Sequence, residues 1–247
     1  MSDILRNPAA GDHLVQLYGD TEGLAEAVAE YLGAGLERGE AAIVIATAEH
    51  RLAFLARLKG AGDERLVYLD AERTLEGFMA NGMPQWEAFY RAIGGLIAEL
   101  RLRYPAVRAY GEMVDVLWQR GEREAALRLE EYWNALGELR SFSLLCAYRM
   151  DPCDKAQYDG ALQSVCKAHS HLIPARDARR FDDAVRAASV KVLEQPLAGI
   201  LLSLAVRHEP ATKMPPGQAT LLWLQGNMPR TADKVFSELR AESSKAG

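Results

Sequence analysis

The sequence predicts an α/β protein, a three-layer, mostly parallel sheet followed by a C-terminal helical extension. Three observations carry that expectation. Strand-like and helix-like runs alternate from residue 13 to about 148, the pattern left by crossovers between parallel strands. One run, Ala41–Ala46 (AAIVIA), is apolar at every position, which suits a strand covered on both faces. After Met150 the alternation ends and helix-like stretches follow. The expected division is an α/β domain over residues 11–173 and a helical extension over 174–247.

His13–Tyr18 (HLVQLY) reads as the first strand. Asp20 or Thr21 then caps a helix to about Arg38, with Leu24, Val28, Tyr31, Leu32 and Leu36 at helical spacing and Gly39 as its terminator. Thr47 suits the N-cap of a short helix after the second strand, and Arg65–Asp70 forms the third strand. Helices are expected over Ala71–Ala80 and Pro84–Arg103, divided by Asn81-Gly82. Pro105 restarts the chain into a fourth strand, Ala106–Tyr110. Helical sequence then runs from Glu112 to Leu139, broken near Gly121, with Ala125, Leu129, Tyr132, Trp133 and Leu136 on one face. Ser141–Tyr148 is the fifth strand. Beyond it, helices are expected over Asp154–Ala168, Ala175–Leu193, Gln218–Gln225 and Thr231–Ala241, with a short apolar segment at Ala198–Arg207.

Composition narrows the function classes. At 247 residues and 49% hydrophobic content the chain can bury a core without covalent staples. A net charge of −5 gives no basic field, so direct nucleic-acid binding is not expected. Three cysteines, Cys146, Cys153 and Cys166, make no disulfide framework and point to reduced thiols in a cytoplasmic setting. The first eleven residues lack an apolar signal core, and Leu197–Val206 is too short to span a bilayer, so no membrane partner is expected.

In open parallel sheets, ligands sit beyond the carboxyl ends of the strands. That rule selects Tyr18, Asp20 and Thr21 after strand one, Thr47 and Glu49 after strand two, Asp70 after strand three, Glu112 and Asp115 after strand four, and Arg149 after strand five. The first loop, LYGDTEGL, has Gly19 and Gly23 but no lysine, which a phosphate-binding loop needs. Asp20 and Glu22 stand there instead; two like charges about 4 Å apart cost about 4 kcal/mol at an effective dielectric near 20. The acidic set Glu49, Asp70, Glu112 and Asp115 could hold an amine, a metal or a general base, or serve only as helix caps. Arg149 would be the counter-charge to a carboxylate.

A second cluster is Cys166, His169 and His171 (CKAHSH). It offers zinc-type donors, but a structural zinc site takes four ligands and no second pair lies nearby; packing at a helix end is the competing reading. His13 begins strand one, about 17 Å from the carboxyl edge at about 3.3 Å per residue, and is excluded from a site there.

The runs HLVQLYGDTEGL, YLGAGLERGEAAIVIAT, DAERTLEGFMANGMPQWEAF, RAYGEMVDVLWQRGEREAALRLEEYWN and SFSLLCAY resemble, in order, the MEDS domain, the methanogen and methylotroph sensory domain. The resemblance covers about residues 11–173, including CKAHSHLIP at its end. It implies a RecA/KaiC-like fold, that of the circadian clock ATPases, with a degenerate phosphate loop. It also implies a sensory role in bacterial signal transduction, for small hydrocarbon derivatives. In this resemblance Glu49 falls where such ATPases carry a catalytic glutamate and Glu112 near their second acidic motif, where aspartate is usual. No kinase signature and no DNA-recognition helix accompany it.

The expectation is therefore a non-enzymatic sensor without a cofactor, which binds a small molecule at the carboxyl edge, signals to a protein partner and is free to self-associate. The alternatives are a residual nucleotide-binding protein or weak NTPase using Glu49 and Glu112, and a ligand-free scaffold.

Overall fold

A computed structural model describes residues 3–58, 63–158, 160–207 and 214–246. The described residues fall into two compact units, residues 3–149 with 168–173, and residues 150–167 with 174–246.

The first unit opens with a short helix, α1 (Asp3–Arg6), and then alternates strand and helix. In order come β1 (His13–Tyr18), α2 (Thr21–Glu37), β2 (Ala41–Ala46), α3 (Ala48–Leu55), β3 (Leu66–Asp70) and α4 (Ala71–Glu76). A small hairpin follows, β4 (Met79–Ala80) and β5 (Met83–Pro84), then α5 (Trp86–Phe89), a π-helical turn (Tyr90–Gly94) and α6 (Gly95–Arg103). The unit continues with β6 (Val107–Gly111), α7 (Met113–Gln119), α8 (Arg123–Leu139) and β7 (Ser143–Arg149), and ends, after the excursion to the second unit, with β8 (His171–Ile173). The six long-range strands form one sheet in the order β3-β2-β6-β7-β1-β8, every pair parallel.

Two expectations need correction. The helix expected over Ala71–Ala80 stops at Glu76. Asn81 (φ 51°) and Gly82 (φ 76°) are both left-handed, the conformation of a tight hairpin turn, so this dipeptide pairs two short strands rather than separating two helices. The sheet also gains a sixth strand. β8 is three residues long and adds to β1 through Leu14↔His171 and Gln16↔Ile173.

Alternation along each strand sorts side chains to the two faces. Leu14, Tyr18, Val44, Tyr110 and Leu145 join Leu24, Val28, Tyr31 and Leu32 of α2 in one core. α8 covers the other face, where Trp133 approaches Gly111 closely and the Cys146 and Tyr148 side chains meet Glu130. At the amino edge, Arg108 (2% exposed) pairs with Glu40 at 2.6 Å and donates to the carbonyls of Tyr31 and Leu5 at 2.7 and 3.0 Å. Gly35 makes room for it, because a Cβ there would stand 2.6 Å from the Arg108 chain.

β2 and β6 are neighbours, yet the chain leaves them toward opposite faces: α3 packs on α2, and α7 packs on α8. That divergence opens a crevice at the carboxyl ends of the strands.

The second unit is helical. A 3₁₀ turn (Lys155–Gln157) and α9 (Gly160–Ala168) stand where one helix was expected over Asp154–Ala168. α10 (Ala178–Leu193), α11 (Leu197–Arg207), α12 (Pro216–Asn227) and α13 (Pro229–Ala246) follow. Val185, Ala188, Leu221, Leu224, Val235, Phe236 and Leu239 are buried in this unit. Asp182 accepts the Gly217 N–H at 2.7 Å, and Tyr158 packs on Phe236 at 5.2 Å. No helix among the described residues is long and apolar enough to cross a membrane.

Candidate functional site

A cavity of about 400 Å³ occupies the carboxyl-edge crevice of the first unit. Tyr18, Asp20, Thr21, Thr47, Glu49, Glu112, Asp115 and Arg149 line it, so the strand-end rule brings these residues together. Asp70 is not among the lining residues. Its carboxylate caps α4 by accepting the Arg73 N–H at 2.9 Å. Glu22 also lies outside the lining and pairs with Arg57 at 3.1 Å, whereas Asp20 caps α2 through the Gly23 N–H at 2.7 Å.

Glu112, 2% exposed, organises the floor. One of its oxygens accepts the Thr47 N–H; the other accepts from the Tyr110 hydroxyl at 2.9 Å and faces His50 Nδ1 at 2.7 Å. Burial, the largest single influence, lowers the His50 pKa, but the bond to Glu112 together with the charges of Glu112, Glu49 and Asp115 outweighs it and holds the imidazole above its ordinary value. His50 Nε2 lies 3.5 Å from the Thr21 hydroxyl. The chain Thr21–His50–Glu112–Tyr110 thus ties α2, α3 and β6 together around the cavity.

Asp115 is held by three donors: the Tyr18 hydroxyl at 2.8 Å, Gln119 Nε2 at 2.8 Å and the Arg149 N–H at 3.0 Å. Burial raises its carboxyl pKa despite these bonds, and burial with the Asp115 charge raises the Tyr18 phenol. Glu72 and Arg120 neutralise each other across the mouth at 2.8 Å. Glu49 and Arg149 remain as exposed charges that make no ion pair among the described residues.

His50, Gln119, Arg120 and Glu72 are not anticipated by the strand-end rule. His50 carries a usable signal, since it stands three residues after the Thr47 cap and so lies in the first turn of α3 at the same strand end.

The candidate grouping Cys166–His169–His171 is not brought together as a donor cluster among the described residues. Cys166 is buried in the second unit, its thiol pushed up to about 12 by burial. His171 begins β8 and meets the Ser170 hydroxyl at 3.0 Å. His169 instead faces Glu130, Nε2 to Oε1 at 3.5 Å, in a sealed cluster with His13 and Cys146. His13 Nε2 lies 3.3 Å from both Cys146 Sγ and Glu130 Oε2. The Tyr148 hydroxyl donates to Glu130 Oε1 at 2.5 Å. Burial alone would raise Glu130, but His169 and His13 beside it hold its carboxyl below the usual value; burial and Glu130 push the Cys146 thiol well up.

Comparison with known families decides the lineage. A model of the MEDS family (methanogen/methylotroph, DcmR sensory domain) matches residues 12–169. The chain belongs to the MEDS family. No curated protein matches it significantly. The MEDS match takes in every residue that lines the carboxyl-edge cavity and all four residues of the sealed cluster. The MEDS domain is a sensory domain, and both polar sites lie within its parallel-sheet unit.

Proposed function

We propose that this chain is a non-enzymatic sensor that binds a small polar molecule in the carboxyl-edge cavity and reports its presence through protein contact. The observation that carries this reading is the state of the cavity's acidic groups. Glu112 and Asp115 each have three hydrogen-bond partners within the protein, so most of their acceptor capacity is committed to holding the fold. The groups left to meet a ligand are Arg149 and Glu49, with His50 Nε2 held only by its 3.5 Å contact with the Thr21 hydroxyl.

The cavity falls within the size range of small-molecule sites. A ligand that engages His50 pulls on the chain that joins α2, α3 and β6, and a shift of α3 is a change that a partner protein can read. The loop Gly19–Asp20 offers no lysine to a triphosphate, and Asp20 holds the first turn of α2 instead.

Thermal-shift measurements with a panel of small metabolites, and with ATP or GTP plus magnesium, test this. A small polar molecule is expected to raise the melting temperature, with no nucleotide turnover. Turnover that disappears in Glu49→Gln would replace this reading with that of a residual NTPase. If no compound class stabilises the protein, the cavity is not a binding site and the scaffold reading takes its place.

A further inference from the structure

The sealed cluster on the α8 face of the sheet is unrelated to the carboxyl-edge cavity and has its own chemistry. Its donors are His13 Nε2, Glu130 Oε2, Cys146 Sγ and His169 Nε2 from four separate segments: the start of β1, the middle of α8, the middle of β7 and the turn before β8. One ligand atom from each lies within 4.8 Å of all the others, and all four residues are buried.

We infer that His13, Glu130, Cys146 and His169 form a four-coordinate site for a divalent transition metal, zinc by preference.

Three features of the cluster argue for this, beginning with shape. Zinc bonds of about 2.0–2.1 Å to nitrogen or oxygen and about 2.3 Å to sulfur place tetrahedral ligands about 3.3–3.6 Å apart. The separations here are 3.3 Å for His13–Cys146, 3.3 Å for His13–Glu130 Oε2 and 3.9 Å for Cys146–Glu130 Oε2, while His169 Nε2 stands 3.5 Å from the other Glu130 oxygen, Oε1. Three of the donors already stand close to the corners of such a polyhedron, and His169 supplies the fourth within 4.8 Å of them.

Ligand orientation is the next feature. Asn134 donates from Nδ2 to the Ala168 carbonyl at 3.0 Å, which turns its Oδ1 toward His13 Nδ1 at 2.9 Å. An amide oxygen only accepts, so Nδ1 carries the proton and the Nε2 lone pair of neutral His13 points into the cluster. Tyr148 likewise occupies Glu130 Oε1 and leaves Oε2 toward His13 and Cys146. Hydrogen bonds that fix a ligand's tautomer and free oxygen are the usual support around a bound metal.

Charge provides the last argument. A divalent cation with one carboxylate and one thiolate sums to zero, which suits a site without water. Binding releases the Cys146 proton to solvent and forms the metal–sulfur bond in its place. With four protein ligands no position is open to substrate, so the metal fastens β1, β7, α8 and the turn before β8 rather than performing catalysis.

The full-length protein as purified tests this by elemental analysis and native mass spectrometry, followed by chelator stripping and reloading with zinc or cobalt(II). One metal per chain is expected, together with a cobalt spectrum of tetrahedral intensity and a near-ultraviolet thiolate-to-cobalt band. Cys146→Ser is expected to remove that band, and Asn134→Ala to weaken affinity about 10–100-fold while keeping it. Folded wild-type protein that binds neither zinc nor cobalt overturns the inference and leaves a proton-bridged His–Glu–His cluster. A bound cobalt whose spectrum is unchanged in Cys146→Ser overturns it equally. The spectrum of the wild-type protein decides the matter even if a variant does not fold.

Discussion

Two buried glutamates, Glu112 and Glu130, show how one sheet uses the same residue types in two ways. Each meets histidine and a strand tyrosine: Glu112 has His50 and Tyr110, and Glu130 has His13, His169 and Tyr148. The first stands at the carboxyl edge, where strand ends and loops leave a cavity and His50 reaches its wall. The second lies under α8 in a sealed cluster, its neighbours drawn from strands and a turn. Position relative to the strand ends therefore separates them. At the edge, a carboxylate organises hydrogen-bonded polar groups around a cavity. Inside the layer, it must be neutralised by fixed partners, because a buried charge without them is costly.

The largest expected effect comes from breaking the inner cluster. Glu130→Ala takes the acceptor from the Tyr148 hydroxyl and the carboxylate from between two imidazoles in a buried cluster. The loss is expected to be about 3–5 kcal/mol, the usual consequence of removing one partner from a buried charged pair. Urea denaturation of wild type and variant in the same buffer measures it. A loss below about 1 kcal/mol would mean that water reaches the cluster, and the contrast with Glu112 would collapse.

Glu112→Gln should cost less, about 1.5–3 kcal/mol, the range for hydrogen bonds to a charged group. It should also change the pH dependence. The folded His50 sits above its unfolded value of about 6.5. Its contribution is therefore fully present below about pH 6.5 and is lost as pH rises through the higher folded value. Without the Glu112 charge, only Glu49 and Asp115 oppose burial at His50, and that alkaline loss of stability should shrink. Denaturation midpoints collected between about pH 5 and 9 check this, and an unchanged profile in Glu112→Gln would remove His50 from its assigned role.

The same contrast explains what can be read from sequence. The strand-end rule needs only strand assignments and a parallel sheet, so it gathers the cavity's walls from residues as distant as Tyr18 and Arg149. It does not tell a lining residue from a cap. Asp70 ends a strand as Glu112 does, but its carboxylate turns to the Arg73 N–H. The inner cluster has no comparable rule. Residues 13, 130, 146 and 169 share no motif, and the distance that separates His13 from the carboxyl edge gives no hint of partners of its own. CKAHSH marks His169 but attaches it to Cys166 and His171, because spacing along the chain favours helical neighbours over the β1 and β7 residues that the sheet supplies. β8 escapes notice since three residues are too few to show alternation.

A smaller effect is expected at Asp20. Its carboxylate caps α2 and also lines the cavity. Asp20→Ala should cost about 1 kcal/mol, the usual loss of an N-cap, while Asp20→Asn, which keeps a capping oxygen, should cost less. If the Asp20→Asn variant retains stability but changes ligand affinity, the charge of Asp20 belongs to binding. Unchanged affinity would confine it to the cap.

The smallest effect on stability should come from Arg149→Ala. The guanidinium is exposed and makes no ion pair among the described residues, so its removal should alter folding free energy by less than about 0.5 kcal/mol. Its backbone N–H, which holds Asp115 at 3.0 Å, is retained in the variant. Any loss of ligand-induced stabilisation in Arg149→Ala would therefore report the missing charge at the cavity wall and not a damaged fold. Calorimetric titration of both proteins with a molecule that stabilises the wild type measures the difference, and a roughly tenfold weakening, equivalent to about 1.4 kcal/mol, is expected. Equal affinities would shift the recognition to Glu49 and His50, and the ligand would then be one that offers donors rather than an anionic group.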